Sequence, residues 1–459
     1  MDRVLLVRSP AGRLYKTAGP DPGLGYLKTA LVRQGALTLV YDAWQLPRFV
    51  PDFSRVVRDF VPDVVGFKMC TADLPEVTRL VDRTAANAPD AAIIVGGPYP
   101  TGMRENLFQA LPPEVAAGFA GEAERALPAW LRARRGDGDP AAVPGLIVRE
   151  NGGVTVRPQD FPADLDALDY PDYADMPLSR YPVDYEGHPY LPVVTTRGCP
   201  YGCAYCSAGL INGRRLRRRS AEHIAEEVYR YRRDFGAEHF DIADDNFTHV
   251  KEHVLAVCEA LQRRVPGMKW RCPNGIRLDT LDEDILRAME GAGCEEVYVG
   301  IETGSERVAA AMNRGVTPAV LREKVELLRR VTKFRVFGFF LIGFPTEEEA
   351  DLRATLRLAL GLPLDLASFF YFTPHPGTRI FQELVGAGAI PPVGDHGFYE
   401  RLGRLPRRVS ERRLRWWQKY AYARFYLRPR QLRLLWQRMK QPAQARRLLR
   451  RILNVWLER

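Results

Sequence analysis

Apolar residues over the first 135 positions fall into two alternating kinds of run. Short runs at 4–7, 37–41, 64–69, 91–95 and Val115–Phe119 have the length and β-branched content of buried strands. Between them, 24–34, Phe53–Phe60, 74–86 and 104–111 space their apolar side chains at helical intervals, one face for the core. Strand and helix alternating at these lengths predict right-handed crossovers and a parallel, doubly wound α/β sheet. Ligands of such sheets sit at the carboxyl ends of the strands, where Gly96-Gly97-Pro98-Tyr99 and Gly121-Glu122-Ala123-Glu124 fall.

Residues 136–190 are rich in Pro, Gly, Asp and Tyr and read as a linker, with a hairpin at 145–156 turning at Asn151-Gly152. The periodicity resumes at Val193. Strands are expected at 193–197, 239–244, 269–272, 296–301, 336–342 and 367–372, and helices near 220–235, 249–264, 282–292, 318–330 and 347–360. Ser220 is the expected N-cap of the first of these helices, with Glu222 in its first turn. The strand ends are polar: Asp244-Asp245-Asn246, Asn274-Gly275-Ile276-Arg277, Gly300-Ile301-Glu302-Thr303, Gly343-Phe344-Pro345-Thr346 and Thr373-Pro374-His375-Pro376. One such loop is unremarkable. Five in register point to a shared cavity.

Composition narrows the picture. No run approaches the eighteen apolar residues of a membrane span, the first residues lack a signal-peptide layout, and seven cysteines show no disulfide framework, so a reducing, cytoplasmic setting is expected. The net charge of +10 conceals an asymmetry. Residues 401–459 carry 19 Lys and Arg against Glu411 and Glu458, a net +17, which leaves −7 on residues 1–400. Nucleic acid or a membrane surface would therefore have to be met by the tail; no RNA-binding fold is visible, and a helical cap with a solvated basic face is the plainer expectation.

The chemistry concentrates in Thr195–Ser207, where Cys199, Cys203 and Cys206 stand at C-x3-C-x2-C directly after an apolar run. Thiolates so spaced on one loop converge on a soft metal centre, and three of them leave one iron of a four-iron cluster open. Half of a zinc site is the alternative, but Cys258 is the next cysteine and no histidine stands at a zinc spacing. Cys258, Cys272 and Cys294 read as core filling.

With Tyr205 just before the last cysteine, this loop resembles the signature of the radical S-adenosylmethionine (radical SAM) superfamily. The stretches 22–28, 64–71, Gly96-Gly97-Pro98 and Gly121–Glu124 are similar to the cobalamin-binding-type domain that precedes many radical SAM barrels. The resemblance implies a Rossmann-like domain over 1–135, a linker over 136–190, a partial (β/α)6 barrel over 191–390 and a basic helical region over 391–459. It implies a [4Fe-4S] cluster on Cys199, Cys203 and Cys206, SAM on the barrel, and cobalamin beside Gly96 and Gly97. For SAM, Asp244 or Asp245 would accept from the ammonium, Arg277 would fork onto the carboxylate and Glu302 would meet the ribose. Tyr205 and Ile301 would border the adenine, and Asn274 would complete the cofactor contacts. Glu302, Asp245 and His375 are the expected catalytic groups, His375 as substrate contact or proton donor.

The chain departs from the cobalamin pattern at Tyr99, where histidine is frequent, and at Phe67-Lys68, and it has no Asp-x-His-x-x-Gly to offer a lower cobalt ligand. The implied reaction is cobalamin-dependent methylation of a carbon radical on a small molecule, fed by a reductant such as flavodoxin or ferredoxin. The rivals are radical dehydration, epimerisation or rearrangement of a sugar or aminoglycoside-like substrate with a vestigial, cobalamin-free first domain, and an RNA-modifying role resting on the tail.

Overall fold

A computed structural model describes residues 1–10, 19–181, 190–394, 396–398 and 401–433. The first sheet is built from β1 (Arg3–Arg8), α1 (Pro22–Arg33), β2 (Leu37–Asp42), α2 (Phe53–Phe60), β3 (Val64–Lys68), α3 (Leu74–Asn87), β4 (Ala92–Gly96), α4 (Pro98–Met103), β5 (Val115–Phe119) and α5 (Ala126–Arg134). Its strands run in the order β2-β1-β3-β4-β5, all parallel, so the order in which strands are laid down reverses between β1 and β3 and opens a crevice at their carboxyl ends. Asp21 caps α1, accepting from the Leu24 amide at 3.0 Å, and Pro22 at the first helical position has no amide to lose. Asp21 also holds Lys68 at the end of β3, and the two cations Lys68 and Arg8 keep its carboxyl at about 2.

Two expectations change here. The hairpin assigned to the linker, β6 (Leu146–Glu150) and β7 (Gly153–Val156), extends the first sheet: β6 pairs antiparallel with β5. Asn151 and Gly152 take the left-handed angles of a two-residue turn, and the added strands cover an edge that β5 would otherwise leave open. The short helix expected at 104–111 begins earlier, as α4, because Gly97 turns the chain at φ 99° and Pro98 starts the helix; residues Arg104–Gln109 form a 3-10 turn.

The second half contains β8 (Leu191–Val193), β9 (Thr196–Arg197), α6 (Ala208–Ile211), β10 (Arg217–Arg218), α7 (Ala221–Phe235), β11 (His239–Ile242), α8 (Lys251–Arg264), β12 (Lys269–Ile276), α9 (Glu283–Gly291), β13 (Cys294–Glu302), α10 (Glu306–Ala311), α11 (Pro318–Val331), β14 (Arg335–Ile342), α12 (Glu349–Gly361), β15 (Leu366–Tyr371) and α13 (Arg379–Gly386). Six strands form one parallel sheet in the order β15-β14-β13-β12-β11-β8, an open barrel with helices outside. The strand expected at 193–197 is divided. Thr195 gives its amide to Asp244 Oδ1 at 2.6 Å instead of to a neighbouring strand, and the chain leaves the sheet to form the β9–β10 ribbon. Ser220 caps α7 as expected, accepting from the His223 amide.

The tail helix α14 (Glu411–Tyr426) lies against the edge strand β15. The Tyr422 and Tyr426 hydroxyls accept from the Phe369 and Ala367 amides at 3.2 and 3.1 Å, so two edge donors that would face water are satisfied by side chains. The basic run 446–451 and Trp436 lie outside the described residues. Among the described residues no helix is long and apolar enough to cross a membrane.

Candidate functional site

The cysteine loop leaves β9 through Gly198, whose φ is 96° and whose added Cβ would lie 2.3 Å from the Arg215 carbonyl oxygen. Only glycine fits there. The Cys199 amide donates to Gly213 O at 3.1 Å and the Cys206 amide to Cys203 O at 3.2 Å, which closes the loop. Its far side is tied to the barrel. The Ala204 amide donates to Met312 O at 2.9 Å, and Asn313 Nδ2 to Gly202 O at 2.7 Å. Cys199, Cys203 and Cys206 are free thiols. Burial raises the Cys199 thiol above its ordinary value, so a thiolate there needs a cation beside it, as a bound metal provides. Among the described residues no three His, Cys, Asp or Glu side chains converge on a single ion. A four-iron cluster takes one thiolate per iron, and three thiols on a loop pinned at both ends match that donor set.

Glu302 ends β13 in the left-handed region, at φ 64°, with a register shift beside it. A non-glycine residue held so costs about 1–3 kcal/mol and marks functional ends of strands. Its carboxyl accepts from the Tyr205 hydroxyl and faces the Arg314 guanidinium, while burial, the larger effect, lifts its pKa. Arg314 also donates to Gly300 O and borders Cys203. Sequence reading missed Arg314; the available signal was Asn313-Arg314-Gly315, a break between α10 and α11 with left-handed residues on both sides.

The other expected cofactor residues divide. Arg277 is buried near the loop: its Nε and Nη2 fork onto Asp279 at 3.0 and 2.7 Å, and Nη1 has no partner among the described residues. Asn246 Nδ2 is likewise buried without one. Two orphaned donors suit a ligand bearing carboxylate or other acceptor oxygens. Asp245 accepts from Asn212 Nδ2 at 2.8 Å and burial raises its pKa. Asp244 differs from what was expected: its oxygens take the Thr195 amide, the Thr195 hydroxyl and the Thr196 hydroxyl, so it shapes the strand end, and burial lifts it to about 6. Asn274 is exposed and gives Nδ2 to Ala243 O at 2.8 Å. Ile301 is 1% exposed and packs in the hydrophobic core, because alternate residues of β13 face the helices. Desolvation brings His375 down to about 4, so its imidazole is neutral near pH 7.

At the first sheet, a Cβ added to Gly96 would meet nothing within 4 Å, which leaves the end of β4 bare for a flat ligand. Tyr99 is buried in α4 and its phenol is raised to about 12 by burial. The two halves touch closely here: a Cβ on Gly102 of α4 would lie 2.2 Å from the Pro376 carbonyl oxygen, in the loop after His375. α4, which starts directly after Gly97, therefore lies against the barrel loop that follows His375, and Gly377 of that loop also meets Leu210 of α6, four residues past Cys206.

Residues 193–359 match the radical SAM superfamily and residues 10–131 the B12 binding domain. An uncharacterized methyltransferase of Pyrococcus horikoshii is 28% identical over 94% of this chain and 94% of its own length. The cytidylyl-2-hydroxyethylphosphonate methyltransferase of Streptomyces wedmorensis is 25% identical over 84% of this chain and 83% of its own. Among solved structures, the radical SAM methyltransferase TsrM of Kitasatospora setae superposes with a TM-score of 0.71 at 19% identity, over 85% of this chain and 77% of that one. The cobalamin-dependent radical enzyme OxsB gives 0.73 at 16% identity, over 91% and 66%. The two families use a [4Fe-4S] cluster with SAM, and cobalamin, and the thiol loop, the orphaned donors and the bare glycine end fit those groups. This chain is accordingly a radical SAM enzyme with a B12 binding domain ahead of its radical SAM domain.

Proposed function

We propose that the chain is a cobalamin-dependent C-methyltransferase acting on a small molecule. The observation that carries this reading is the joining of the two strand-end regions: α4, which opens at Gly97, packs through Gly102 on the Pro376 loop of the barrel. Relatives named as methyltransferases that match along nearly the whole chain support methyl transfer over dehydration or rearrangement.

When bound, the cluster and SAM supply a carbon-centred radical and the corrinoid a methyl group. The chain's own residues bind and orient. Cys199, Cys203 and Cys206 would hold the cluster, one thiolate to an iron, as three protein ligands for four irons. Arg277 Nη1 and Asn246 Nδ2 offer donors to the amino-acid end of SAM, and Asp245 an acceptor for its ammonium. Glu302, kept in place by Tyr205 and Arg314, meets the ribose. His375, uncharged at neutral pH, gives or takes a hydrogen bond at the substrate without bringing a charge into the cavity.

The test is anaerobic protein reconstituted with iron, sulfide and cobalamin, given SAM, a strong reductant and a panel of small molecules. 5'-Deoxyadenosine with a product heavier by one methylene supports the reading. Loss of water from the product, or no SAM cleavage with a full cluster, overturns it.

A further inference from the structure

Two carboxylates of the B12 binding domain reach into the radical SAM domain. They stand on the Gly121–Glu124 loop after β5. Glu122 Oε2 lies 3.0 Å from Arg197 Nη1, and Glu124 Oε1 lies 2.7 Å from Arg197 Nη2. Glu122 also accepts from both terminal nitrogens of Arg217, one of them at 3.0 Å. None of the four side chains is more than 9% exposed.

The arginines face each other across the β9–β10 ribbon, and Cys199 is two residues beyond Arg197. A ribbon of two residues per strand has too few hydrogen bonds to hold its own position in water. Its place is set by what anchors its side chains: Thr196 is held by Asp244 of the barrel, and the two guanidiniums are held by carboxylates of the other domain.

The network continues on both sides. Arg217 Nη2 donates to Asn212 O at 2.7 Å, and Asn212 Nδ2 to Asp245 at 2.8 Å. In the other direction the Gly121 amide donates to Thr101 Oγ1 at 2.9 Å, and that hydroxyl to Gly97 O at 2.8 Å. Polar contacts joined through the Gly121–Glu122 backbone thus run from the bare glycine end of the first sheet, through the arginine ribbon that leads into the cysteine loop, to the strand end that carries Asp245.

We propose that Glu122 and Glu124 are positioning residues for the cluster: they hold and neutralise the arginine ribbon from which Cys199 is launched, so the B12 binding domain sets part of the cluster's geometry and electron affinity. The proposal rests on the radical SAM assignment and is independent of methyl transfer. A buried guanidinium stripped of its carboxylate keeps its charge a few residues from the cluster and favours the more negative, reduced cluster. The loop also loses an anchor.

The test compares wild type with E122Q and E124Q, full-length and reconstituted anaerobically to equal iron content. Both variants should show a cluster midpoint potential shifted to more positive values by potentiometric EPR, the larger shift with E122Q because Glu122 serves both arginines. Iron release to a chelator should be about tenfold faster, the ratio that ~1.4 kcal/mol of lost anchoring produces. E124D should return part of each effect, and the double variant R197Q/E124Q, with the charge balance restored, should bring the potential back while iron release stays fast. Should E122Q fail to fold, E124Q and the double variant carry the comparison. A lowered melting temperature with an unchanged midpoint, or wild-type values throughout, overturns the proposal. A protein that shows these shifts but methylates nothing leaves it standing and overturns the proposed function.

Discussion

The guanidinium carbon of Arg277 lies 3.6 Å from the centroid of the Tyr201 ring, and Tyr201 is two residues past Cys199. The stack, with the Asp279 fork, fixes the guanidinium plane and leaves Nη1 as a buried donor with no acceptor among the described residues. Lysine reproduces the charge and neither the plane nor the second donor. R277K should weaken SAM binding by about 1.5–3 kcal/mol, the worth of a charge-assisted hydrogen bond, with cluster content unchanged. Calorimetric titration of SAM into the reconstituted protein measures it; undiminished affinity would remove Arg277 from the SAM site.

Gly102 predicts a wedge between the domains. Backbone on both sides leaves nothing to yield when a Cβ arrives 2.2 Å from Pro376 O. G102A should destabilise by about 1–3 kcal/mol, the usual range for overpacking. Gly386, at the end of α13, is the control: a Cβ there meets nothing within 4 Å, so G386A should be neutral or slightly stabilising. Denaturant midpoints of the two variants decide the matter.

Glu347 gives stability a pH dependence. It is 1% exposed, its Oε2 accepts from the Gly343 amide at 2.5 Å, its Oε1 has no partner among the described residues, and burial, with the nearby charge of Asp351, lifts the carboxyl to about 8. A folded value above the unfolded 4.5 means the folded state binds the proton more tightly. The contribution is whole below the unfolded value and is lost as pH rises through about 8. Melting temperatures between about pH 5 and 8.5 should fall more steeply in wild type than in E347Q. Parallel curves would contradict this.

The tail helix is predicted to protect a sheet edge. Tyr422→Phe removes the acceptor of the Phe369 amide, and an unsatisfied buried donor costs about 1–3 kcal/mol. Hydrogen exchange at the Phe369 amide should quicken by about tenfold or more, with β12 and β13 amides unchanged. Equal exchange would place the protection elsewhere.

Tyr99 and Lys68, the two departures from the cobalamin pattern, show where local reading stops. Lys68 has a structural partner in Asp21, a residue 47 positions away that no local pattern connects to it. Tyr99 is buried by its helix, and whether its phenol meets a ligand is not written in its neighbours along the chain. The hairpin at 145–156 was visible as a hairpin, since Asn-Gly dictates its turn, yet its attachment to β5 follows from an edge that only the assembled sheet presents.

The sequence by itself determined the alternation of strands and helices, the cysteine loop and the polar strand ends, because periodicity, spacing and turn chemistry act over a few residues. The tertiary structure decided the rest. It turned Asp244 onto two threonines, sank Ile301 into the core, brought Arg314 beside Glu302, and set Glu122 and Glu124 against Arg197 from a different domain. Pairings of buried charges between segments 70 or more residues apart exist only once both sheets are packed, since each charge is stable in the interior only with the partner that packing delivers.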